Sequence, residues 1–409
     1  MRPLGILTAI AAATTLPAVA AAQPAAPLDP ARVANIDRWV TDLVARQRIP
    51  GASALIVKDG RVVYEKAWGV RDIDTKAPLK PDDLFRIASQ TKAITSVAVM
   101  MLWEEGRFGL DEPVGNYLPA FKEHTVLTTF NPADSSYEAK PTRRRITIRQ
   151  LLTHTSGLDY ADIGSDEFKA IYAKAGITAW GMEGASLAAD VDKLAKLPLK
   201  HEPGERFTYS LSIDVLGRLV EVLSGRTLEQ FFAERIFAPL KMPDTYFRVP
   251  PAKAARLVAM HQDTAGTMRA MREPRGWANP DYPLRPMTYF SGGAGLTSTT
   301  RDYVRFLQMV LNGGTLDGVR LLGRKTVEMM LTNQTGTLNS FGLGFGLETS
   351  ANDARQPLTL GSFEWGGAFR TTYWADPRER LIAVIYTNTF GGTLDLGGPF
   401  KTLVYAALR

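Results

Sequence analysis

The chain has 409 residues, no cysteine, 45% hydrophobic residues and 22% charged residues. That composition can bury a large core without disulfides, and it excludes intrinsic disorder and a disulfide-stapled mini-domain. Lys and Arg number 48 against 42 Asp and Glu, a net charge of +6 spread along the chain, so nucleic acid is not a favoured partner.

In chain order, residues 1–22 read as a signal peptide. Arg2 supplies the positive start, Leu4 to Ala13 the apolar core and Ala20-Ala21-Ala22 a small-residue cleavage site. An exported chain, periplasmic or secreted and starting near Gln23, is therefore expected. The apolar run is far shorter than the ~20 residues of a spanning helix, Pro17 interrupts it, and nothing later has a membrane-spanning pattern. After a Pro/Ala-rich linker, Asp29-Pro30 caps a helix whose Val33, Ile36, Val40, Leu43 and Val44 recur at helical spacing. Ala52 to Val57 and Arg61 to Trp68 then flank Asp59-Gly60, a dipeptide suited to the positive φ of a tight hairpin. A largely apolar, buried helix is predicted over Gln90 to Glu105, stopped by Gly106.

From about Asp111 to Lys200 the strand pattern is lost, and residues 131–145 have no clear periodicity. Arg143-Arg144-Arg145 with Arg149 read as a solvated loop, since they lack the interleaved aromatics of a binding stripe. A helix follows at Asp214 to Leu223. Strands return at Thr371 to Trp374 and Leu381 to Asn388 around Asp376-Pro377, followed by a helix from Lys401 to Leu408. The expected fold class is α/β: an antiparallel sheet flanked by helices, residues 23–110 and 205–409, with an inserted mainly helical domain at 111–204. First and last strands are expected to pair.

The four histidines, at 124, 154, 201 and 261, have no metal-ligand spacing and no cysteine to help them, so no metal or other cofactor is implied. No Gly-x-Ser-x-Gly elbow occurs, and Gly292-Gly293-Ala294-Gly295 lacks the Lys-Ser/Thr that a nucleotide loop requires. What remains is Ser89-Gln90-Thr91-Lys92 at the head of the buried helix. One helical turn brings the Lys92 amine beside the Ser89 hydroxyl, and a serine hydroxyl becomes a good nucleophile when an adjacent base takes its proton. Alone, Ser-x-x-Lys is a common tetrapeptide. Its context adds weight: Tyr209-Ser210-Leu211 precedes a helix, Ser291 to Leu296 is glycine-rich, and Trp365-Gly366-Gly367-Ala368 leads into a terminal strand. A loop tyrosine can relay protons, and glycines let a strand backbone approach a substrate.

The order serine-lysine, tyrosine, glycine pair resembles the serine β-lactamase and penicillin-recognising enzyme superfamily. It is most similar to the family VIII carboxylesterases, which look like class C β-lactamases. The resemblance covers nearly the whole mature chain, including Ile49-Pro50-Gly51 and Leu151-Leu152-Thr153-His154-Thr155-Ser156-Gly157-Leu158. It implies Ser89 as acylated nucleophile, Lys92 as its general base, and Tyr209 as the group that protonates the leaving group and activates the deacylating water. Whether Lys92 or Tyr209 is deprotonated first stays open. The oxyanion hole would be the N–H groups of Ser89 and Ala368, with Trp365, Gly366 and Gly367 lining the substrate site and His154 in a structural turn.

Two departures bear on specificity. Leu211 stands where β-lactamases carry the Asn of Tyr-x-Asn, and Trp365 where the third motif begins with Lys. A charge-assisted contact is worth ~1.5–3 kcal/mol, so its loss would cost β-lactam turnover without touching ester cleavage. Of the aromatic residues Tyr160, Trp180, Trp277, Tyr289, Phe363 and Trp365, core packing accounts for most, while the motif position of Trp365 faces the site. The expectation is a serine hydrolase cleaving short-chain carboxylic esters, with weak β-lactam hydrolysis sometimes surviving in this branch. The alternatives are a β-lactamase or D-amino-acid peptidase, a penicillin-binding protein that acylates without turnover, and an acyltransferase.

Overall fold

The computed structural model describes residues 27–178, 180, 184–264, 266–274 and 278–409. The expected signal peptide, the chain start near Gln23 and Trp277 lie outside the described residues. Helix α1 (Pro30–Ala45) is capped by Asp29, whose Oδ1 accepts from the N–H groups of Ala31 and Arg32. Strands β1 (Gly51–Lys58) and β2 (Arg61–Asp72) form the expected hairpin, with Asp59 and Gly60 at φ 53° and 75°. Helix α2 (Thr91–Glu104) follows, and almost every side chain on it is buried.

The stretch expected to lack strands contains a hairpin, β3 (Thr125–Asn131) with β4 (Ser136–Pro141). Every β4 residue is exposed, so no hydrophobic alternation marks it in the sequence. Helices α3 (Ile148–Leu152), α4 (Asp166–Lys174) and α5 (Leu187–Leu194) share this stretch. Helix α6 (Ser212–Ser224) ends at Gly225, whose φ of 69° is the left-handed conformation of a C-terminal cap. Helix α7 spans Thr300–Leu311, and the chain closes with β5 (Phe363–Gly367), β6 (Thr371–Asp376), β7 (Leu381–Tyr386) and helix α8 (Gly397–Ala407).

A seven-stranded antiparallel sheet organises these elements, in the order Gly346–Leu347, β5, β6, β7, β1, β2, Ala77–Pro78. The expected pairing of first and last strands is the β1–β7 ladder, with Ser53 opposite Tyr386 and Lys58 opposite Leu381. Its central strands β1, β6 and β7 are almost wholly buried on both faces because helices cover both. On one face Ala52, Ala54, Ile56 and Trp374 pack against Ile36 and Val40 of α1 and Phe400 and Val404 of α8. On the other, Leu55, Val57, Tyr373 and Tyr386 join the main core with α2, α6 and α7. The Ser-x-x-Lys segment therefore sits on a buried helix wedged between the sheet and the helices of the second layer. Among the described residues, no helix is long and apolar enough to cross a membrane.

Candidate active site

Ser89 lies in a short 3₁₀ turn, Ala88–Gln90, that leads directly into α2. Two buried phenols anchor the turn: Tyr303 donates to the Gln90 carbonyl at 2.9 Å and Tyr386 donates to Gln90 Oε1 at 2.6 Å. Ala88 is held at φ 44°, a left-handed conformation that costs a residue with a Cβ roughly 1–2 kcal/mol. The surrounding structure thus fixes where the serine hydroxyl points.

Lys92 is buried on the first turn of α2. Its Nζ donates to the Gly293 carbonyl at 2.7 Å and lies 3.3 Å from both Ser89 Oγ and Tyr160 Oη. The same ammonium sits over the rings of Tyr209 and Tyr160, at 4.7 and 5.3 Å from their centroids. Those rings stack on each other at 5.5 Å. Among the described residues, the buried Tyr209 hydroxyl has no hydrogen-bond partner. Burial, reinforced by nearby negative charge, pushes the Tyr160 phenol well above its usual range, so it stays protonated.

Tyr209 is held by the turn that the sequence singled out. His154, itself at φ 55°, accepts at its carbonyl from Thr208 N–H (2.8 Å) and at Nδ1 from Ser210 N–H (3.2 Å). Both amides flanking Tyr209 are thereby tied to one residue, and the His154 ring packs 4.8 Å from the Tyr209 ring. Burial, helped by the Lys92 charge, keeps this histidine well below its ordinary value and hence neutral. It is a positioning residue.

Gly366 and Gly367 end β5. A Cβ at Gly367 would lie 2.3 Å from the Ile87 carbonyl oxygen, so only glycine lets this strand press against the Ser89 turn. The approach delivers Ala368, which is exposed, to the rim of a cleft of about 570 Å³ lined also by Ser89, Tyr209, Gly366, Trp365 and Leu347. Trp365 packs on Tyr209 (5.5 Å) and on Phe341 (5.3 Å), and its indole walls the cleft. Leu211, by contrast, is buried in the main core and does not line the cleft. Of the other aromatic residues, Tyr289 and Phe363 are core residues, and Trp180 packs against Tyr282 and Phe369.

The structure thus gathers Ser89, Lys92, Tyr209, Trp365, Gly366, Gly367 and Ala368 in one place. Sequence reasoning missed the polar roles of Tyr160 and Asp214. Asp214 is buried on the first turn of α6, and its Oδ1 accepts from Ser291 Oγ at 2.7 Å and Gly293 N–H at 3.3 Å. Nothing in the local sequence sets it apart, since the same helix also carries Arg218 and Glu221.

A serine beside a buried lysine, with a tyrosine and a strand-end residue on one cleft, on this sheet, is the arrangement of a serine hydrolase related to the β-lactamases. Comparison with known proteins agrees: the Beta-lactamase family matches residues 36–404, and the chain belongs to that family. Protein Rv1367c of Mycobacterium tuberculosis is 36% identical over 359 residues, covering 82% of this chain and 84% of its own. Esterase EstB of Burkholderia gladioli is 30% identical over 376 residues, covering 87% and 90%. Among solved structures, "EstCE1, a hydrolase with promiscuous acyltransferase activity" superposes with a TM-score of 0.79 at 28% identity, covering 92% of this chain and 99% of that one.

Proposed function

We propose that the protein is an exported esterase that cleaves short-chain carboxylic esters through an acyl-enzyme on Ser89. Ser89 Oγ attacks the ester carbonyl as its proton passes to the Lys92–Tyr209 pair. The N–H groups of Ser89 and Ala368 receive the developing oxyanion, where each such donor is typically worth ~3 kcal/mol. Tyr209 returns the proton to the departing alkoxide, and the same pair then activates the water that releases the acid.

One observation carries the choice of ester over β-lactam. Among the described residues lining the cleft none is Lys or Arg, Trp365 stands where a cation would meet a β-lactam carboxylate, and the Glu364 carboxylate lies on that wall. Glu364 is in turn held by Lys401 and by Gln356 at 3.0 Å. The likeness to Esterase EstB supports the same reading. Turnover of p-nitrophenyl butyrate is expected to exceed that of nitrocefin by orders of magnitude and to vanish in Ser89→Ala. Dominant nitrocefin turnover would identify a β-lactamase instead. An acyl adduct on Ser89 persisting for hours by intact mass would identify a penicillin-binding protein.

A further inference from the structure

We propose that Asp214 is the buried counter-charge of Lys92, a positioning residue that holds the lysine as an ammonium in the resting enzyme. Asp214 is 2% exposed, and while Oδ1 is satisfied by Ser291 and Gly293, Oδ2 is buried with no hydrogen-bond partner among the described residues. The space between this oxygen and the lysine is the place where a side chain on residue 293 would go. A Cβ there would stand 2.5 Å from Asp214 Oδ2 and 3.3 Å from Lys92 Nζ, so the two charges are at most 5.8 Å apart, the sum of those distances. Gly293 keeps that gap open while its own carbonyl takes one ammonium proton and its N–H goes to the carboxylate. The loop is pinned between α2 and α6. Thr95 Oγ1 donates to the Gly292 carbonyl at 2.6 Å, and a Cβ on Gly292 would lie 2.8 Å from the Ile213 carbonyl oxygen.

The groups around the pair are otherwise neutral or accept from it. Lys92 faces Ser89 Oγ, the Gly293 carbonyl, the Tyr160 hydroxyl, the rings of Tyr160 and Tyr209, and neutral His154. Asp214 faces Lys92, Ser291 and the phenols of Tyr160, Tyr282 and Tyr289, all three of which burial keeps protonated. An uncompensated carboxylate at this depth would be strongly unfavourable, and Lys92 is the cation within reach. On balance burial raises the Asp214 carboxyl above its ordinary value, and the Lys92 charge is the first of the influences that oppose that rise.

The inference rests on Ser89 and Lys92 being the reacting pair, and the experiment separates the two claims. The pH dependence of kcat/KM on p-nitrophenyl butyrate would be measured for wild type, Ser89→Ala and Asp214→Asn, with melting temperatures. Asn keeps the shape and the acceptor for Ser291 and Gly293 but removes the charge. The limb of the profile that belongs to the Lys92 ammonium should move to lower pH by ~1–2 units, the size of an attraction at this distance in a protein medium. Movement of the alkaline limb means that the ammonium is the working form and Tyr209 the base, whereas movement of the acid limb makes neutral Lys92 the base. The first outcome supports the proposal, and the second would overturn it, because the resting lysine would then be neutral. A uniform fall in activity with neither limb displaced would overturn it, while an active Ser89→Ala would overturn the underlying reading. Should Asp214→Asn fail to fold, Gly293→Ala, whose backbone is not left-handed, drives the charges apart and should displace the same limb.

Discussion

At the scale of single residues, the setting of Ser89 is made by its neighbours. Its hydroxyl lies 3.3 Å from Lys92 Nζ, and that amine is fixed by a carbonyl, two aromatic faces and a hydroxyl, so it has little freedom to lose when the reaction begins. On the proposed mechanism, Lys92→Ala and Tyr209→Phe are each expected to lower kcat by about two decades or more with KM little changed. Near-native activity in either variant would remove that residue from the mechanism. Ser89, Lys92 and Tyr209 were legible in the sequence because each belongs to a short motif with a chemical reason for its spacing. Tyr160 and Asp214 were not. They meet Lys92 across separations of 68 and 122 positions, and no local pattern encodes a contact of that range.

At the scale of elements, glycines decide how closely pieces approach. The strand β5 reaches the Ser89 turn because Gly367 has no side chain, and the loop 291–295 enters between α2 and α6 because Gly292 and Gly293 have none. Gly367→Ala should cost about one decade or more in kcat/KM and lower the melting temperature by several degrees, since its Cβ meets backbone that cannot rotate away. An unchanged enzyme would show that strand and turn are not in close contact. The start of α1, the end of α2 and the first hairpin were legible because Asp29-Pro30, Gly106 and Asp59-Gly60 are local signals. The β3–β4 hairpin was not, because its second strand is solvated along its whole length and carries no apolar period. The glycine-rich loop was noted in the sequence as part of the motif order, but its role as a spacer between two helices depends on both helices being in place.

At the scale of the whole molecule, the four histidines are all buried, and burial lowers each below its ordinary value. His261 is pushed down to about 4 by burial, against the opposing charges of Asp72 and Asp74. Its Nε2 accepts from Ile73 N–H at 3.3 Å and its backbone N–H bonds the Asn388 carbonyl at 2.9 Å. The unfolded chain binds a proton near pH 6.5 that the folded chain refuses until about 4. Stability is therefore complete above pH 6.5 and falls as the pH drops through that window, by up to about 3 kcal/mol for His261. Melting temperatures at pH 7 and pH 5 should differ more in wild type than in His261→Gln. An equal difference would remove His261 from the acid response.

The amino-acid order alone was enough to specify the capped first helix, the opening hairpin, the apolar platform helix and the serine, lysine, tyrosine and glycine motifs, because these are set by neighbours within a turn or two. It was also enough to place the chain among β-lactamase relatives, since those motifs recur in one sequence order. Folding in three dimensions decided the rest: that Leu211 is core while Trp365 walls the cleft, that His154 grips both sides of Tyr209, and that a carboxylate on α6 lies across one glycine from the lysine on α2. Burial, charge pairing and close approach depend on segments far apart in the chain, and they acquire values only once the sheet has brought those segments together.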